Sequence, residues 1–142
     1  MKSSKNILLT SILTLSIVTT IFSQDQNDYK MIEKTVSNYI NGDTKKDFET
    51  LQKAFHKNAT MKYVSSKNGY QEYNALEVFK NDKGRAPEKN RKNRIEYISV
   101  AGKAANVKIE INYPDRTVVD FVNLLKINNE WKIVSKIFSV KE

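Results

Sequence analysis

A single carboxylate within an apolar segment is the first residue of this chain that could do chemistry. Asp120 stands in TVVDFVNLL, where the two residues on each side are apolar. A buried carboxyl group holds its proton more tightly than an exposed one, which suits it to act as a general base near neutral pH. The same surroundings suit a structural carboxylate bound by a serine, tyrosine or lysine, with Ser135 as one candidate partner. Asp120 is therefore the candidate catalytic residue, with a structural role as the alternative.

Aromatic residues supply a second candidate site. The chain has seven tyrosines and one tryptophan, and rings that carry a polar group are typical of small-molecule pockets. The candidate ligand-binding residues are Tyr39, Phe55, Tyr63, Tyr73, Tyr97 and Trp131. In an enzyme, the hydroxyl of Tyr63 or Tyr97 would stabilise negative charge that develops beside Asp120. The alternative for these rings is core packing, which we expect first for Trp131.

Metal and cofactor sites are not predicted. His56 is the only histidine, the chain has no cysteine, and its carboxylates do not cluster, so the ligand count for a metal ion is not met. His56 lies in HKNA, which is typical of the exit from a helix. There is also no glycine-rich phosphate loop and no nucleophile elbow.

The N-terminus predicts export. Residues 1–23 have two lysines ahead of an apolar run and a polar stretch after it, which is typical of a secretory signal peptide. The run falls short of the ~20 apolar residues of a spanning helix. We therefore expect a periplasmic or secreted protein, with one domain over residues 24–142 and no membrane span after cleavage.

A basic segment follows the middle of the chain. Seven basic and two acidic residues lie within Lys80–Arg94, part of a formal net charge of +8. Without apolar periodicity, and with Gly84 and Pro87, the segment is typical of a solvated loop; attraction of an anionic ligand is the alternative. Nucleic acid is not expected as a partner, because the protein is predicted to be exported and the segment lacks interleaved aromatic residues.

Periodicity then places these residues on elements. Apolar spacing predicts a helix over Asp28–Ile40 that ends at Asn41-Gly42, and a second helix that begins near Asp43 or Thr44. A third short helix, ALEVFK, is expected after two strands. The predicted strands are Thr60–Val64, Tyr70–Tyr73, Arg94–Val100, Ala105–Tyr113, Thr117–Ile127 and Glu130–Val140. Helices followed by a long antiparallel meander predict an α+β domain.

Two turns set the register of the meander. A type I′ turn at Asn128-Asn129 predicts the pairs Lys126–Trp131, Leu124–Ile133, Val122–Ser135 and Asp120–Ile137. A turn at Pro114-Asp115 predicts Ile111–Val118, Ile109–Asp120 and Val107–Val122. The expected core face then carries Asp120 among Val107, Ile109, Ile111, Val118, Val122, Leu124, Trp131, Ile133 and Ile137. Lys136 and Phe138 are expected on the other face, whose apolar content predicts cover by a second subunit.

Three segments carry a resemblance to a known family. The order of elements, with YINGD, FHKNAT and LLKINNEWKIVSKIF, resembles the nuclear transport factor 2-like superfamily, and within it the SnoaL-like and "putative lumazine-binding" branch of secreted bacterial proteins. The resemblance implies a cystatin-like cone, in which N-terminal helices pack on a strongly bent antiparallel sheet around a cavity, and a homodimer formed through the sheet. It implies little about chemistry, because this scaffold carries both enzymes and binders.

Three functions remain open at this point. The first is an exported protein that binds a small apolar or aromatic ligand without catalysis. The second is an isomerase, cyclase or dehydratase with Asp120 as its base. The third is a dimeric interaction module with a closed cavity.

Overall fold

The computed structural model describes residues 26–141. The predicted signal peptide, residues 1–23, lies outside the described residues. The chain divides into two compact units, Met1–Lys30 and Met31–Glu142. Of the first unit, residues 26–30 are described and are helical.

Helices and a six-stranded sheet form the fold that the sequence predicts. The helices are α1 (residues 26–45), α2 (Phe48–Gln52) and α3 (Ala75–Lys80). The strands are β1 (Phe55–Ser65), β2 (Gly69–Asn74), β3 (Lys92–Ala101), β4 (Ala104–Asn112), β5 (Thr117–Ile127) and β6 (Glu130–Lys141). Helices packed on a curved, unclosed sheet confirm the predicted α+β class.

The sheet has the strand order β2-β1-β6-β5-β4-β3. The meander from β3 to β6 is antiparallel, as predicted. Strand β1 pairs with β6 in parallel orientation, so the sheet as a whole is mixed. This pairing brings the N-terminal and C-terminal strands of the domain together in the middle of the sheet.

The end of α1 differs from the prediction at Asn41-Gly42. The helix continues to residue 45, and the residue with positive φ is Lys46. Gly42 instead allows α2 to approach, because a Cβ at this position would lie 2.6 Å from the backbone nitrogen of Leu51. The predicted start of α2 at Asp43 or Thr44 is also wrong: Asp47 caps the helix, accepting a hydrogen bond from the Thr50 N–H at 3.1 Å.

Both predicted turns of the meander are present. Asn128 and Asn129 have φ values of 50° and 64°, as a type I′ turn requires. Tyr113 N–H donates to the carbonyl of Arg116 at 2.9 Å, which closes the turn at Pro114-Asp115. Every predicted pair between β4 and β5 is observed, and so are Lys126–Trp131 and Leu124–Ile133 between β5 and β6.

A bulge in β6 overturns the rest of the predicted register. Leu124 pairs with Ile133 but Asn123 pairs with Ser135, so that Val134 is an extra residue without a partner in β5. Beyond the bulge, Lys136 lies opposite Val122 and Phe138 lies opposite Asp120. The predicted pairs Val122–Ser135 and Asp120–Ile137 are therefore wrong.

The bulge also exchanges two side chains between the faces of the sheet. We call the face that packs on the helices the inner face and the opposite one the outer face. Lys136, predicted outside, is 5% exposed, whereas Ile137, predicted inside, is 46% exposed. Phe138 turns inward and packs against the core.

The core lies between α1 and the inner face. Its buried residues come from the helices and from all of the central strands, and include Ile32, Val36, Leu51, Val107, Ile109, Val122, Leu124, Trp131 and Ile133. Trp131 is 2% exposed and is a core residue. Within residues 26–141, no helix combines the length and apolar character needed to cross a membrane.

Candidate functional site

Asp120 lies on the inner face and is fully buried. The hydroxyl of Tyr39 donates a hydrogen bond to Asp120 Oδ2 at 2.5 Å. The ammonium group of Lys136 donates to Asp120 Oδ1 at 2.6 Å. Both carboxylate oxygens are thus bound by side chains from two other elements, α1 and β6. We call these three residues the buried triad.

Local structure places both partners of Asp120. Tyr39 follows Ile32 and Val36 along the buried side of α1, at the spacing that keeps residues on one helix face. Lys136 reaches the inner face only because the extra residue Val134 reverses the alternation of β6. The same strand without a bulge would direct the lysine to the outer face.

Burial shifts the titration of both partners in the direction that disfavours charge. Burial, followed by the negative charge of Asp120, raises the pKa of Tyr39 well above its ordinary value. Burial lowers the pKa of Lys136, although Asp120 opposes this shift. Tyr39 therefore stays a neutral hydrogen-bond donor, and the ammonium of Lys136 depends on its carboxylate partner.

Three stacked rings continue from the triad along the inner face. The ring centroids of Tyr63 and Phe138 are 4.7 Å apart at an interplanar angle of 29°, and those of Tyr63 and Tyr73 are 6.4 Å apart at 26°. Tyr73 of β2 pairs with Met61 of β1, which is buried in the core. Tyr63 lies two residues after Met61 in β1 and therefore faces the same side of the sheet. We call Tyr73, Tyr63 and Phe138 the aromatic ladder.

The ladder joins the triad at one end and reaches solvent at the other. Lys136 Nζ lies 4.1 Å from the ring centroid of Phe138, a distance at which a cation interacts with a π face. At the far end Tyr73 is 45% exposed, and its hydroxyl donates to Gln71 Oε1 at 2.6 Å. The ladder thus gives an accessible ring surface that leads to a buried ion pair.

A second buried charge lies at the same end of the sheet. Arg91, just before β3, donates from Nη1 to Asp43 of α1 and from Nε to Asn93 Oδ1 at 2.7 Å. Among residues 26–141, its Nη2 is buried and contacts no hydrogen-bond acceptor. The positive charge of Arg91 also lowers the pKa of Tyr39, against the effect of burial, and that of Lys136, in the same direction as burial. Arg91 therefore contributes to the electrostatics of the triad.

The candidate aromatic residues separate into four groups. Tyr39 and Phe55 pack edge to face at 5.3 Å within the core, and Tyr63 and Tyr73 form the ladder beside them. Tyr97 lies on the outer face, where its hydroxyl donates to Asn106 Oδ1 at 2.9 Å. Trp131 lies apart from the ladder and lines a different cleft, between α1 and the turn of β5 and β6.

The surroundings of His56 are not those of a metal ligand. It lies within β1 and not at the exit of a helix as predicted, and its Nδ1 accepts a hydrogen bond from the Asn58 N–H at 3.2 Å. In the part of the chain that the structure describes, no group of three or more histidine, aspartate or glutamate residues could hold a metal ion.

Two residues of the site were not found from the sequence. Strict alternation predicts Lys136 on the outer face, because it leaves no place for a bulge. Arg91 was counted with a solvated basic loop, yet its side chain is fully buried. A sequence marker of the bulge in β6 would place Lys136 on the inner face. The segment KIVSKIF contains no glycine or proline, the residues that mark an irregular strand.

Comparison with solved structures supports the fold. An NTF2-like protein of unknown function from Shewanella baltica OS155 is 28% identical, with a TM-score of 0.75 over 82% of this chain and 95% of that one. An NTF2-like protein of unknown function from Methylobacillus flagellatus KT is 24% identical, with a TM-score of 0.72 over 82% and 94%. A de novo designed protein with a curved β-sheet has a TM-score of 0.55 at 18% identity, over 75% and 96%.

A comparison of the chain with models of protein families identifies its family. A comparison with curated proteins gives no match. The model of the family described as "Putative lumazine-binding" matches residues 27–139, which span α1 to β6. The resemblance seen in the sequence is confirmed, and the chain belongs to this family of the nuclear transport factor 2-like superfamily.

Proposed function

We propose that this protein binds a small, neutral, planar ligand on the aromatic ladder and does not catalyse a reaction. The observation that carries the proposal is the ladder itself: stacked rings on the inner face, exposed at Tyr73 and closed by Lys136 below Phe138. The exposed ring of Tyr73 presents a flat apolar surface on which another ring can stack in offset geometry. An apolar or aromatic ligand therefore fits this surface best.

The charges near the ladder favour a neutral ligand over an ion. Lys136 is bound to Asp120 and Arg91 is bound to Asp43, so each buried cation already has a carboxylate partner. A further buried charge would lie in this region without a counter-ion and would carry a desolvation cost.

The engagement of Asp120 supports binding without catalysis. A general base must reach the proton that it removes, whereas both oxygens of Asp120 contact Tyr39 and Lys136 and the side chain has no exposed surface. In the enzyme alternative, Tyr97 would supply a hydroxyl, but it lies on the outer face with Asn106. These contacts favour the structural role of Asp120.

A matched pair of variants tests the proposal. Tyr73 and Tyr97 are exposed to nearly the same extent, 45% and 44%, but lie on opposite faces of the sheet. With the neutral fluorescent probe N-phenyl-1-naphthylamine, Tyr73→Ser should weaken binding by about three- to tenfold, the contribution of one stacked ring. Tyr97→Ser should leave the affinity unchanged. Equal losses in both variants, or a loss in Tyr97→Ser alone, would refute binding on the ladder.

Export and dimerisation form part of the same proposal. We infer export from the signal-peptide pattern of residues 1–23. The outer face supports a homodimer, since Leu125 and Ile137 are 42% and 46% exposed there and a shallow cleft of about 400 Å³ lies beside Leu125 and Val134. Sedimentation of the variants Leu125→Glu and Ile137→Glu should give monomers, whereas the wild type should sediment as a dimer. Identical dimers for both variants would exclude this interface.

A further inference from the structure

A second cleft lies between α1 and the turn that joins β5 and β6, apart from the aromatic ladder. Its volume is about 430 Å³, within the range of small-molecule sites. Met31 and the small exposed part of Trp131, which is 2% exposed, supply its apolar surface. Its polar lining comes from Lys34, Thr35, Asn38, Lys53, Glu130 and Lys132.

The cleft carries an excess of positive charge. Lys132 is held in place, since its ammonium group lies 3.0 Å from Glu130 Oε2 and donates to the carbonyl of Lys53 at 2.9 Å. Within residues 26–141, neither Lys34 nor Lys53 forms an ion pair. Three cations and one carboxylate thus line the same cleft, which leaves two positive charges in excess. Like charges in one concave surface raise its potential and attract an anion.

The remaining polar groups also suit an anion. Asn38 makes no side-chain hydrogen bond within the described part of the chain, so its amide can donate. The hydroxyl of Thr35 donates to the carbonyl of Trp131 at 3.1 Å, which fixes the helix against the turn. The cleft therefore combines two ammonium groups without an ion pair in the described part of the chain, one amide donor and an apolar wall formed by Met31.

We propose that this cleft binds a small organic anion, whose carboxylate or phosphate group contacts Lys34 and Lys53 and whose apolar part packs against Met31, next to Trp131. The ammonium groups provide charge-assisted hydrogen bonds to the oxyanion. The side chain of Met31 provides the apolar contact. This site is independent of the ladder. It prefers an anion, whereas the ladder prefers a neutral ligand because each buried cation near it is paired with a carboxylate.

The single tryptophan makes the site directly observable. Because Trp131 lines the cleft and is the only tryptophan, its fluorescence reports binding there. The probes are phenyl phosphate, the neutral analogue benzyl alcohol, and inorganic phosphate. We expect phenyl phosphate to change the emission saturably at low salt, and benzyl alcohol and inorganic phosphate to bind about tenfold more weakly or not at all.

Two double variants with the same change in net charge provide the control. Lys34→Gln with Lys53→Gln should weaken phenyl phosphate binding by about tenfold, the sum of two partly exposed charged contacts. Lys83→Gln with Lys89→Gln, in the exposed basic loop, should leave the affinity within twofold of the wild type. Both pairs are on the surface, so both variants should fold.

Several outcomes would overturn the proposal. Equal losses in the two double variants would assign binding to the overall charge of the protein. Benzyl alcohol binding as tightly as phenyl phosphate would exclude an anion site. A fluorescence response only to vesicles containing phosphatidylglycerol would assign the cleft to a membrane surface instead of a soluble ligand.

Discussion

The strongest prediction concerns the ion pair of the buried triad. Lys136→Met keeps the length and apolar contacts of the side chain but removes the ammonium from Asp120, which is fully buried. Removal of one partner from a buried ion pair costs about 3–5 kcal/mol, because the other charge is left without compensation. The free energy of unfolding of a domain of this size is about 5–15 kcal/mol, so the variant should lose a large part of its stability.

A surface ion pair in the same sheet provides the control. Lys62 Nζ lies 3.4 Å from Glu72 Oε1, with side chains 33% and 43% exposed. Lys62→Met should cost less than about 1 kcal/mol, because exposed pairs contribute little. The two pairs have similar charges but different burial, so the difference between the variants measures the effect of desolvation.

Urea unfolding at neutral pH gives the free energies for both variants. The double variant Lys136→Met with Asp120→Leu completes the test, since replacement of both partners by apolar residues should recover most of the loss. The interaction energy of this cycle should exceed about 2 kcal/mol. A cost below about 1 kcal/mol for Lys136→Met, equal to that of Lys62→Met, would refute the burial of the pair and the register that the bulge imposes.

Three further predictions follow from the fold and the triad. Gly42→Ala should lower the free energy of unfolding by about 1–3 kcal/mol through overpacking against Leu51, as measured by urea unfolding; an unchanged value would contradict the contact of α1 with α2. The pKa of Tyr39 is raised in the folded protein, so the stability that Tyr39 contributes is complete below about pH 10 and is lost as the pH rises from there towards the folded-state pKa. In this pH range the Tm of Tyr39→Phe should fall less steeply than the Tm of the wild type. Parallel curves of Tm against pH would contradict the raised pKa of Tyr39. Deletion of Val134 removes the residue without a partner but keeps the pairs Asn123–Ser135 and Val122–Lys136, so Lys136 should stay bound to Asp120 and Lys136→Met should still cost about 3–5 kcal/mol in the deletion variant, as measured by urea unfolding; a cost below about 1 kcal/mol in that background would show that Val134 is not the extra residue of the bulge.

The sequence predicts the meander well because local signals determine it. Alternating apolar residues identify β3 to β6, and Asn128-Asn129 fixes the hairpin, since asparagine tolerates the positive φ that a type I′ turn needs. The same signals place Asp120 inside. Neither observation depends on distant parts of the chain.

The rest of the site depends on packing that local patterns do not encode. Asn41-Gly42 has the signature of a helix end, but the close contact with Leu51 uses the glycine inside the helix. The bulge at Val134 has no sequence signature, and it decides which face receives Lys136. Arg91 is buried because Asp43 of α1 receives it, a contact between residues that are distant in the sequence.

The central claim is that the inner-face ladder binds a planar ligand. Nuclear Overhauser contacts between bound N-phenyl-1-naphthylamine and the aromatic protons of the protein test this claim most directly. We expect contacts to the rings of Tyr73, Tyr63 and Phe138, and none to Tyr97. Contacts to Tyr97 and Leu125 on the outer face, or the absence of binding, would contradict it.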